Sequence, residues 1–347
     1  MEKLYYLPEE TMEEILLRLP PQSLVRFKCV CKSWNRLIND PSFINKHLLI
    51  NKNSSCTSLF LTCDKLLSLA SIFNDKNNDN SDYISYLVEE INIPRPKEDP
   101  LSGLEETIIL CNPAIKEFKV LPKSFFFKNS INRGFGFGYD SISNDYKVVR
   151  IFSKGELRDD VSKAEVYTLG SDSWREIKMN INLRCVYYWW NDVQPHGVAN
   201  DDMIISFDMH EEKFNRIPLP DNVQKKMQYI GSKTLTIWNE SLALFFTYEY
   251  LHMYLFFEMW VMVDNFDGSS WIKHLTIEPL AHINHLPLAF WKKDELFMES
   301  STGEIVTYNL FTKKLRKLPI NHKRVAFTHA DFYVKSLVSV KGGSKLK

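Results

Sequence analysis

The feature that most constrains the fold of this chain is a unit that recurs five times between residues 108 and 319. Each unit is an apolar strand, a polar turn, and a second strand that opens with a large apolar residue. Turns with Asn, Asp or Gly between two such runs are typical of β-hairpins. The copies are IILCNPAIKEFKVLP from Ile108, AEVYTLGSDSWREI from Ala164, IISFDMHEEKFNRIPLP from Ile204, WVMVDNFDGSSWIKHL from Trp260 and EIVTYNLFTKKLRKLP from Glu304.

The spacing of these units predicts the architecture that contains them. Equivalent turn positions lie 57, 39, 56 and 45 residues apart, at Asn112, Leu169, Asp208, Asp264 and Asn309. An irregular repeat of roughly fifty residues is the signature of propeller blades. Residues 56–93 are candidates for a sixth blade, which a C-terminal strand over residues 332–340 would close, removing exposed sheet edges. We predict an all-β domain over residues 51–347, as a six-bladed β-propeller or, second, an irregular β-sandwich.

Residues 7–48 carry a different pattern, which predicts three or four short helices. Pro8 suits the first turn of a helix, where its missing N–H costs nothing, and the glutamates that follow favour the positive end of the helix dipole. One apolar stripe is formed by Met12, Ile15, Leu16 and Leu19, which recur at helical spacing. Pro20-Pro21 ends this helix.

The rest of this region predicts two more short helices and a last helical turn. Their apolar residues are Leu24, Val25 and Phe27, then Trp34, Leu37 and Ile38, and finally Phe43, Ile44 and His47. This is more apolar surface than about forty residues can bury among themselves. The excess favours packing against a partner protein, or against the next domain as a helical cap, and periodicity leaves both open.

The helical region resembles the F-box. The matching positions are Leu7-Pro8, Ile15-Leu16, Leu19-Pro20, Leu24, Val30-Cys31-Lys32, Trp34, Leu37, Pro41 and Phe43, without a gap. The resemblance implies a domain over residues 1–50 that docks on a Skp-type adaptor and, through it, on a cullin-based ubiquitin ligase. The adaptor-binding residues it implies are Leu7, Pro8, Ile15, Leu16, Leu19, Pro20, Leu24, Val30, Cys31 and Trp34.

The β region is similar to the F-box-associated domain of plants, with its closest likeness to the S-locus F-box group. The residues that carry the likeness are Leu110–Pro113 with Glu117-Phe118, Gly134–Asp140 with Asn144–Arg150, Val166-Tyr167 with Ser173-Trp174, and Trp260–Met262 with Ser270-Trp271. Proteins of that group act in pollen and recognise pistil ribonucleases for ubiquitination in self-incompatibility. Two stretches depart from the family pattern, residues 102–108 and 196–200, and each departure puts one strand of its blade in doubt.

Composition narrows the classes of partner and compartment. Lys+Arg and Asp+Glu both number 43, so the formal net charge of +0 argues against a dedicated nucleic-acid binder. The six cysteines form no C-x-x-C pair, which favours reduced, packing cysteines over a disulfide framework or a zinc site. The acidic, amphipathic N-terminus does not resemble a signal peptide. We expect a cytoplasmic protein, with the nucleus as a second compartment.

One stretch, Leu242–Val263, is as apolar as a membrane-spanning segment. It contains Glu249, His252 and Glu258, which are costly in lipid. Two or three buried strands explain it better, so we expect no membrane contact.

No motif in the chain predicts catalysis, a metal site or a cofactor. The glycines of GFGFGYD, residues 134–140, are spaced like those of a phosphate-binding loop, but no helix follows them. We therefore predict a strand whose glycines let bulky neighbouring side chains pack close. His282 and His285 are spaced like metal ligands on a helix, yet Pro279 and Pro287 flank them and favour a loop. We predict no enzyme: ubiquitin transfer would belong to partner subunits.

Acidic doublets in or beside the predicted loops are the candidate target-binding residues. If several lie on one propeller face, they would attract and hold a basic protein, such as the ribonuclease that the resemblance implies. Ordinary solvated loops are the alternative explanation. The candidates are Glu89, Glu90, Glu105, Glu106, Asp159, Asp160, Asp201, Asp202, Glu211 and Glu212.

The function predicted from these patterns is that of a substrate-recognition subunit of a Skp-cullin-F-box ubiquitin ligase. A receptor for some other plant protein is the first alternative. An enzyme of propeller type with a small-molecule pocket on its axis is the second. An F-box scaffold outside any cullin complex is the third.

Overall fold

The structure is a computed structural model of the chain. It describes residues 8–52, 56–63, 66–73, 85–91, 107–124, 131–153, 163–179, 203–220, 230–250, 254–265, 268–280, 287–292, 294–300, 302, 304–321 and 329–341.

Four short helices open the chain, which confirms the predicted helical module. They are α1 (Glu9–Leu17), α2 (Pro21–Phe27), α3 (Lys32–Ile38) and α4 (Pro41–Lys52). Proline stands at the first position of α2 and of α4, where a missing N–H costs no hydrogen bond. Each helix is too short to be stable alone, so tertiary packing must hold the module together.

The helices bury one shared apolar cluster. Its buried members include Leu16 from α1, Leu24 from α2 and Ile38 from α3, together with Phe43 and Ile44 from α4. A sixth buried member is Leu337, which lies near the C-terminus of the chain. The core of the N-terminal module is therefore completed by a residue that comes after the whole β domain.

Twenty strands come after the helices and form six antiparallel sheets among the described residues. The first sheet contains β1 (Cys56–Cys63), β2 (Leu66–Phe73) and β3 (Ser85–Glu90). The second contains β4 (Ile109–Asn112) and β5 (Glu117–Val120), and the third contains β6 (Ile131–Asp140), β7 (Asp145–Ser153), β8 (Lys163–Thr168) and β9 (Ser173–Ile177). The fourth contains β10 (Met203–Asp208) and β11 (Lys213–Pro218), and the fifth contains β12 (Ile230–Trp238), β13 (Ser241–Tyr250), β14 (Tyr254–Asn265) and β15 (Gly268–Ile277). The sixth contains β16 (Ala289–Lys292), β17 (Glu295–Glu299), β18 (Glu304–Asn309) and β19 (Leu315–Asn321), after which β20 (His329–Tyr333) returns to pair with β1.

The predicted all-β domain is confirmed, and all five recurring units are hairpins: β4–β5, β8–β9, β10–β11, β14–β15 and β18–β19. Six sheets are the number that a six-bladed propeller requires. The second and fourth sheets each contain two described strands; the departing stretches near 102–108 and 196–200 lie mostly or wholly outside the described residues.

The closure of the first sheet by the C-terminal strand is confirmed, but the predicted bounds of that strand, 332–340, are wrong. The strand that pairs with β1 ends at Tyr333. Residues 334–340 leave the sheet because Leu337 is buried among the helices instead.

Five hairpin turns share one backbone design. The last residue of each turn is left-handed without being glycine: Lys116, Asn144, Asp172, Glu212 and Lys313 have φ between 51° and 55°. In three of these turns the first residue is Asp or Asn, whose side chain accepts two backbone N–H bonds from the turn; Asn309 Oδ1, for example, accepts from Phe311 N at 3.1 Å and from Thr312 N at 2.8 Å. These side-chain acceptors offset the cost of the left-handed residue.

Neighbouring sheets are joined by a repeated tryptophan contact. Trp174 on β9 donates from Nε1 to the carbonyl of Pro122, just after the second sheet, at 2.8 Å. Trp271 on β15 does the same to Pro218, at the end of the fourth sheet, also at 2.8 Å. Each tryptophan opens the second half of its hairpin, so the large apolar residue of the sequence unit acts between sheets.

A buried ion cluster joins the third sheet to the fourth. Lys147 on β7 donates from Nζ to Asp140 Oδ2 at 2.9 Å, to Glu212 Oε1 at 3.0 Å and to the Met209 carbonyl at 2.6 Å. Burial opposes ionisation of Asp140, but the bonds from Ser143 and Lys147 outweigh it and hold the pKa of the Asp140 carboxyl well below its usual range. Likewise, burial lowers the pKa of Lys147, yet the two carboxylates prevail and raise it.

We predict that Lys147→Met destabilises the β domain strongly. The substitution leaves the buried carboxylate of Asp140 without its cation, which costs about 3 kcal/mol of unfolding free energy. Urea denaturation of the full chain, followed by tryptophan fluorescence, measures the change.

The matched control is Lys213→Met. Lys213 also pairs with a glutamate, Glu211, at 2.8 Å, but both side chains are exposed. Exposed pairs contribute little to stability. Equal losses in the two variants would show that the buried cluster does not join the sheets.

Candidate adaptor-binding surface and target-binding residues

The helical module exposes half of the residues predicted to bind the adaptor. Val30 is 60% exposed and Ile15 is 47% exposed, both large for apolar side chains. Pro8, Pro20 and Cys31 are exposed as well. Because the core beneath them is already filled, these side chains are free to contact a partner.

Four of the other predicted adaptor residues are buried or half-buried beneath this surface. Leu16 and Leu24 are fully buried in the helical core, so they brace the surface from within. Leu19 and Trp34 are half-buried, and the Trp34 ring lies 5.5 Å from that of Phe27. Leu7 lies outside the described residues.

Three further apolar residues of the same module are exposed, although the sequence did not assign them to the adaptor-binding surface. Val25 on α2 and the pair Leu49 and Ile50 on α4 are all exposed. The prediction ended the last helix near residue 48, whereas α4 continues to Lys52. The unbroken apolar run Leu48–Ile50 was the signal that could have extended it.

Cys31 has a distinct chemical environment at the start of α3. Its Sγ lies 3.1 Å from the hydroxyl oxygen of Ser33, and that contact, with the backbone N–H of Trp34, lowers the pKa of the thiol. By contrast, burial raises the pKa of the Cys111 thiol in β4 to about 11.

His47 connects α4 to the α1–α2 junction in the middle of the module. Its Nε2 donates to the Leu19 carbonyl at 2.9 Å, which leaves Nδ1 to accept from Asn51 Nδ2 at 3.0 Å. Burial lowers the pKa of His47, although the bond to Leu19 opposes that shift. The neutral ring therefore holds Leu19 and Pro20 in place at the surface.

Four of the ten predicted target-binding acids lie among the described residues, in two separate places. Glu89 and Glu90 are on β3, where Glu89 is exposed. Glu211 and Glu212 are in the β10–β11 turn, as expected. The remaining candidates, Glu105, Glu106, Asp159, Asp160, Asp201 and Asp202, lie outside the described residues.

Glu212 is committed to the fold. Its carboxylate pairs with Lys147 at 3.0 Å and with Arg175. Burial works against its ionisation, but the bonds from Arg175 and Lys147 outweigh burial and lower the pKa of Glu212. Glu211, which is exposed and paired with Lys213, remains accessible to a partner.

The glycine-rich stretch is strand β6, as predicted, so it does not form a phosphate loop. A Cβ at Gly138 would come within 2.8 Å of Cε, at the flexible end of the Met209 side chain, so a larger residue there would require Met209 to move. The aromatic residues of β6 alternate with the glycines and reach the surface near the turn. Phe137 is 58% exposed and stacks on Tyr146 at 5.6 Å between ring centroids; sequence reasoning missed this patch.

The apolar stretch Leu242–Val263 forms strands β13 and β14, as predicted. Its Glu258 is bound by Lys273 from β15 at 2.6 Å. No helix in the described part of the chain is long and apolar enough to cross a membrane. His282 and His285 lie outside the described residues.

Comparison with known protein families finds two matches that together cover most of the chain. The F-box domain matches residues 4–46. The F-box associated beta propeller domain matches residues 100–332. This chain belongs to the F-box proteins with an F-box associated domain.

Its relatives are plant F-box proteins. The chain is 26% identical to F-box protein CPR1 of Arabidopsis thaliana, over 96% of this chain and 88% of the relative. It is 27% identical to the F-box/kelch-repeat protein At3g23880 of the same plant, over 96% of this chain and 95% of the relative.

The two domains define the role of the protein. F-box domains bind a Skp-type adaptor within Skp-cullin-F-box ubiquitin ligases, and F-box associated domains bind protein substrates. This F-box protein is a substrate-recognition adaptor of such a ligase. Its family acts as an adaptor in ubiquitination, which is not an enzymatic role.

We predict that the F-box loses stability in mild acid because of His47. Burial keeps the pKa of His47 in the folded protein below its usual 6.5, so the unfolded chain takes up a proton first as the pH falls. The F-box therefore keeps its full stability above about pH 6.5 and loses stability below that value. Thermal unfolding followed by helical circular dichroism between pH 7.5 and 5.5 measures the effect.

The control is His47→Gln, which cannot titrate in this range. It should show a smaller decrease of the unfolding midpoint over the same pH interval. Identical pH profiles for the two proteins would contradict the prediction.

Proposed function

We propose that this F-box protein holds its Skp-type adaptor through the exposed apolar face formed by Pro8, Ile15, Pro20, Val30 and Cys31, and holds its protein target through the propeller. One observation carries the adaptor part: these residues stay exposed above a core that is already closed without them. Apolar side chains that do not contribute to folding are the ones that a partner can bury at a net gain.

Exposed contact residues and half-buried bracing residues differ in how a substitution affects folding. A charge at Leu19 or Trp34 would disturb the F-box itself, because both are half-buried in its core. A charge at Val30 or Ile15 stays in water in the free protein and is buried only in the complex. These two positions therefore separate adaptor binding from folding.

We predict that Val30→Asp and Ile15→Asp each weaken adaptor binding at least tenfold, because a buried unpaired carboxylate costs more than about 1.4 kcal/mol. Biolayer interferometry with a purified Skp-type adaptor gives the dissociation constants. Circular dichroism checks that both variants remain folded.

Leu49→Asp is the matched control. Leu49 is 59% exposed on α4, in the same module but outside the proposed face. Its variant should bind the adaptor like the wild type. Wild-type affinity in the folded Val30→Asp and Ile15→Asp variants would refute the proposed face.

For the target, we propose a basic protein, and a pistil ribonuclease of self-incompatibility in particular. The resemblance to the S-locus F-box group supports it, together with the exposed acids Glu89 and Glu211. Glu212 is not part of this surface, since its side chain is only 16% exposed and pairs with both Lys147 and Arg175, whereas that of Glu211 is 58% exposed. Ubiquitin transfer is the work of partner subunits, in the cytoplasm and nucleus.

We predict that Glu211→Lys weakens binding of a basic ribonuclease severalfold without changing adaptor affinity, since it reverses a charge at the proposed surface. The same interferometry with immobilised ribonuclease, at two salt concentrations, measures it. Glu176→Lys, which reverses an exposed acid outside the proposed set, is the control.

The competing hypothesis is that the propeller binds a protein other than a ribonuclease. If neither salt nor Glu211→Lys affects ribonuclease binding, the basic-target proposal fails. Affinity purification of the full chain beside Val30→Asp then identifies the target, since target proteins are retained in both samples and the adaptor and cullin in one.

A further inference from the structure

We infer that the C-terminal segment, residues 334–340, completes the folded core of the F-box and holds the F-box against the β4–β5 turn of the propeller. The part of this inference that concerns adaptor binding rests on the proposed function. The structural part stands without it.

Leu337 supplies the first observation. It is 3% exposed and belongs to the same buried cluster as Leu16, Leu24 and Phe43, with the neighbouring Val338 packed against that cluster. A buried leucine of this kind contributes as much to a small core as a residue within the helices. The F-box core of this chain is thus built from both ends of the sequence.

Asn112, at the end of β4, fastens the segment to the propeller. Its Nδ2 donates to the Val338 carbonyl at 2.7 Å, and to the carbonyl and hydroxyl oxygens of Ser336, both at 3.1 Å. Its Oδ1 accepts from Ala114 N at 3.1 Å and from the Tyr333 hydroxyl at 2.5 Å. One buried amide therefore binds the C-terminal segment, the β4–β5 turn and the end of β20.

Glu117, at the start of β5, holds the far end of the segment. Its Oε2 accepts from Ser339 Oγ at 2.7 Å and from Val340 N at 3.0 Å. The same carboxylate faces the end of α2, where burial lowers the pKa of Lys28 and the nearby charge of Glu117 opposes that shift.

The β4–β5 turn itself completes the contact. Ile115, in the 3₁₀ turn Pro113–Ile115, packs against the buried cluster of the F-box. The F-box is therefore held by α4 leading into β1, by the C-terminal segment and by this turn. Three attachments prevent the free rotation that a single linker would allow, so the adaptor and the target are held at a defined separation.

The first test is hydrogen exchange of the full chain, comparing Leu337→Ala with Val334→Ala. Val334 is in the same segment but is 37% exposed, so it is a matched control. Loss of the buried Leu337 side chain should speed exchange in α1, α2 and α4 roughly tenfold or more, while β6–β9 exchange as before. Val334→Ala should leave both regions unchanged.

A second variant serves if Leu337→Ala does not fold. Asn112→Asp keeps the acceptor for Ala114 and Tyr333 but removes the donor to Ser336 and Val338. Its expected signature is faster exchange of residues 336–340, with the β4–β5 turn still protected. Wild-type protection of the segment in Asn112→Asp, or of the F-box in Leu337→Ala, would overturn the inference.

Adaptor affinity tests the functional part. Leu337→Ala should bind the Skp-type adaptor roughly tenfold more weakly than Val334→Ala, because part of the binding free energy must refold the F-box. Equal affinities would show that the segment is dispensable for adaptor binding. Failure of the wild type to bind the adaptor would refute the proposed function and leave the exchange results to decide the structural inference.

Discussion

The antiparallel pairing of β20 with β1 is the constraint on which the rest of this structure depends. Leu59 pairs with Phe332 and Ser58 with Tyr333, which brings strands from the beginning and the end of the β region into one sheet. Because β1 follows the F-box directly, the chain that leaves β20 emerges beside the helices. From this position Tyr333 reaches Asn112, and Leu337 enters the helical core. Completion of the first sheet and completion of the F-box core are consequences of the same pairing.

The sheets are held to one another by two kinds of interaction with different sensitivities. Apolar clusters, such as that of Phe245, Met259 and Leu296, supply most of the burial and are indifferent to pH. Polar contacts between sheets, such as that of Lys147 with Glu212 and the tryptophan bonds to proline carbonyls, fix which surfaces meet. A buried charge cluster is costly when mismatched, so it contributes to specificity more than to stability.

Local sequence patterns predicted much of this structure, but contacts between residues far apart in the chain could not be predicted. Helical spacing and prolines located the F-box helices, and the Asp or Asn residues that open the turns located the hairpins, because each acts within a few residues. The role of Glu212 could not be predicted, since its partners Lys147 and Arg175 come from another sheet. The C-terminal strand was predicted too long for a similar reason: an apolar run looks alike whether it pairs with β1 or, like Leu337, enters a helical core. The sequence predicted which residues of the candidate site are apolar, but only the fold shows which of them are exposed and which are buried.

The turn design has a consequence for how such a receptor can change its target. In the turns that Asp140 and Asn309 open, backbone bonds and the side chain of the first residue hold the turn, so the exposed residue at the tip is not needed for folding. Ile142 and Phe311 occupy two such tips and are 71% and 79% exposed. Substitutions there alter the outer surface at little cost in stability. The propeller can thus acquire new binding specificities by exchanging tip residues on an unchanged frame, as an antibody domain does with its loops.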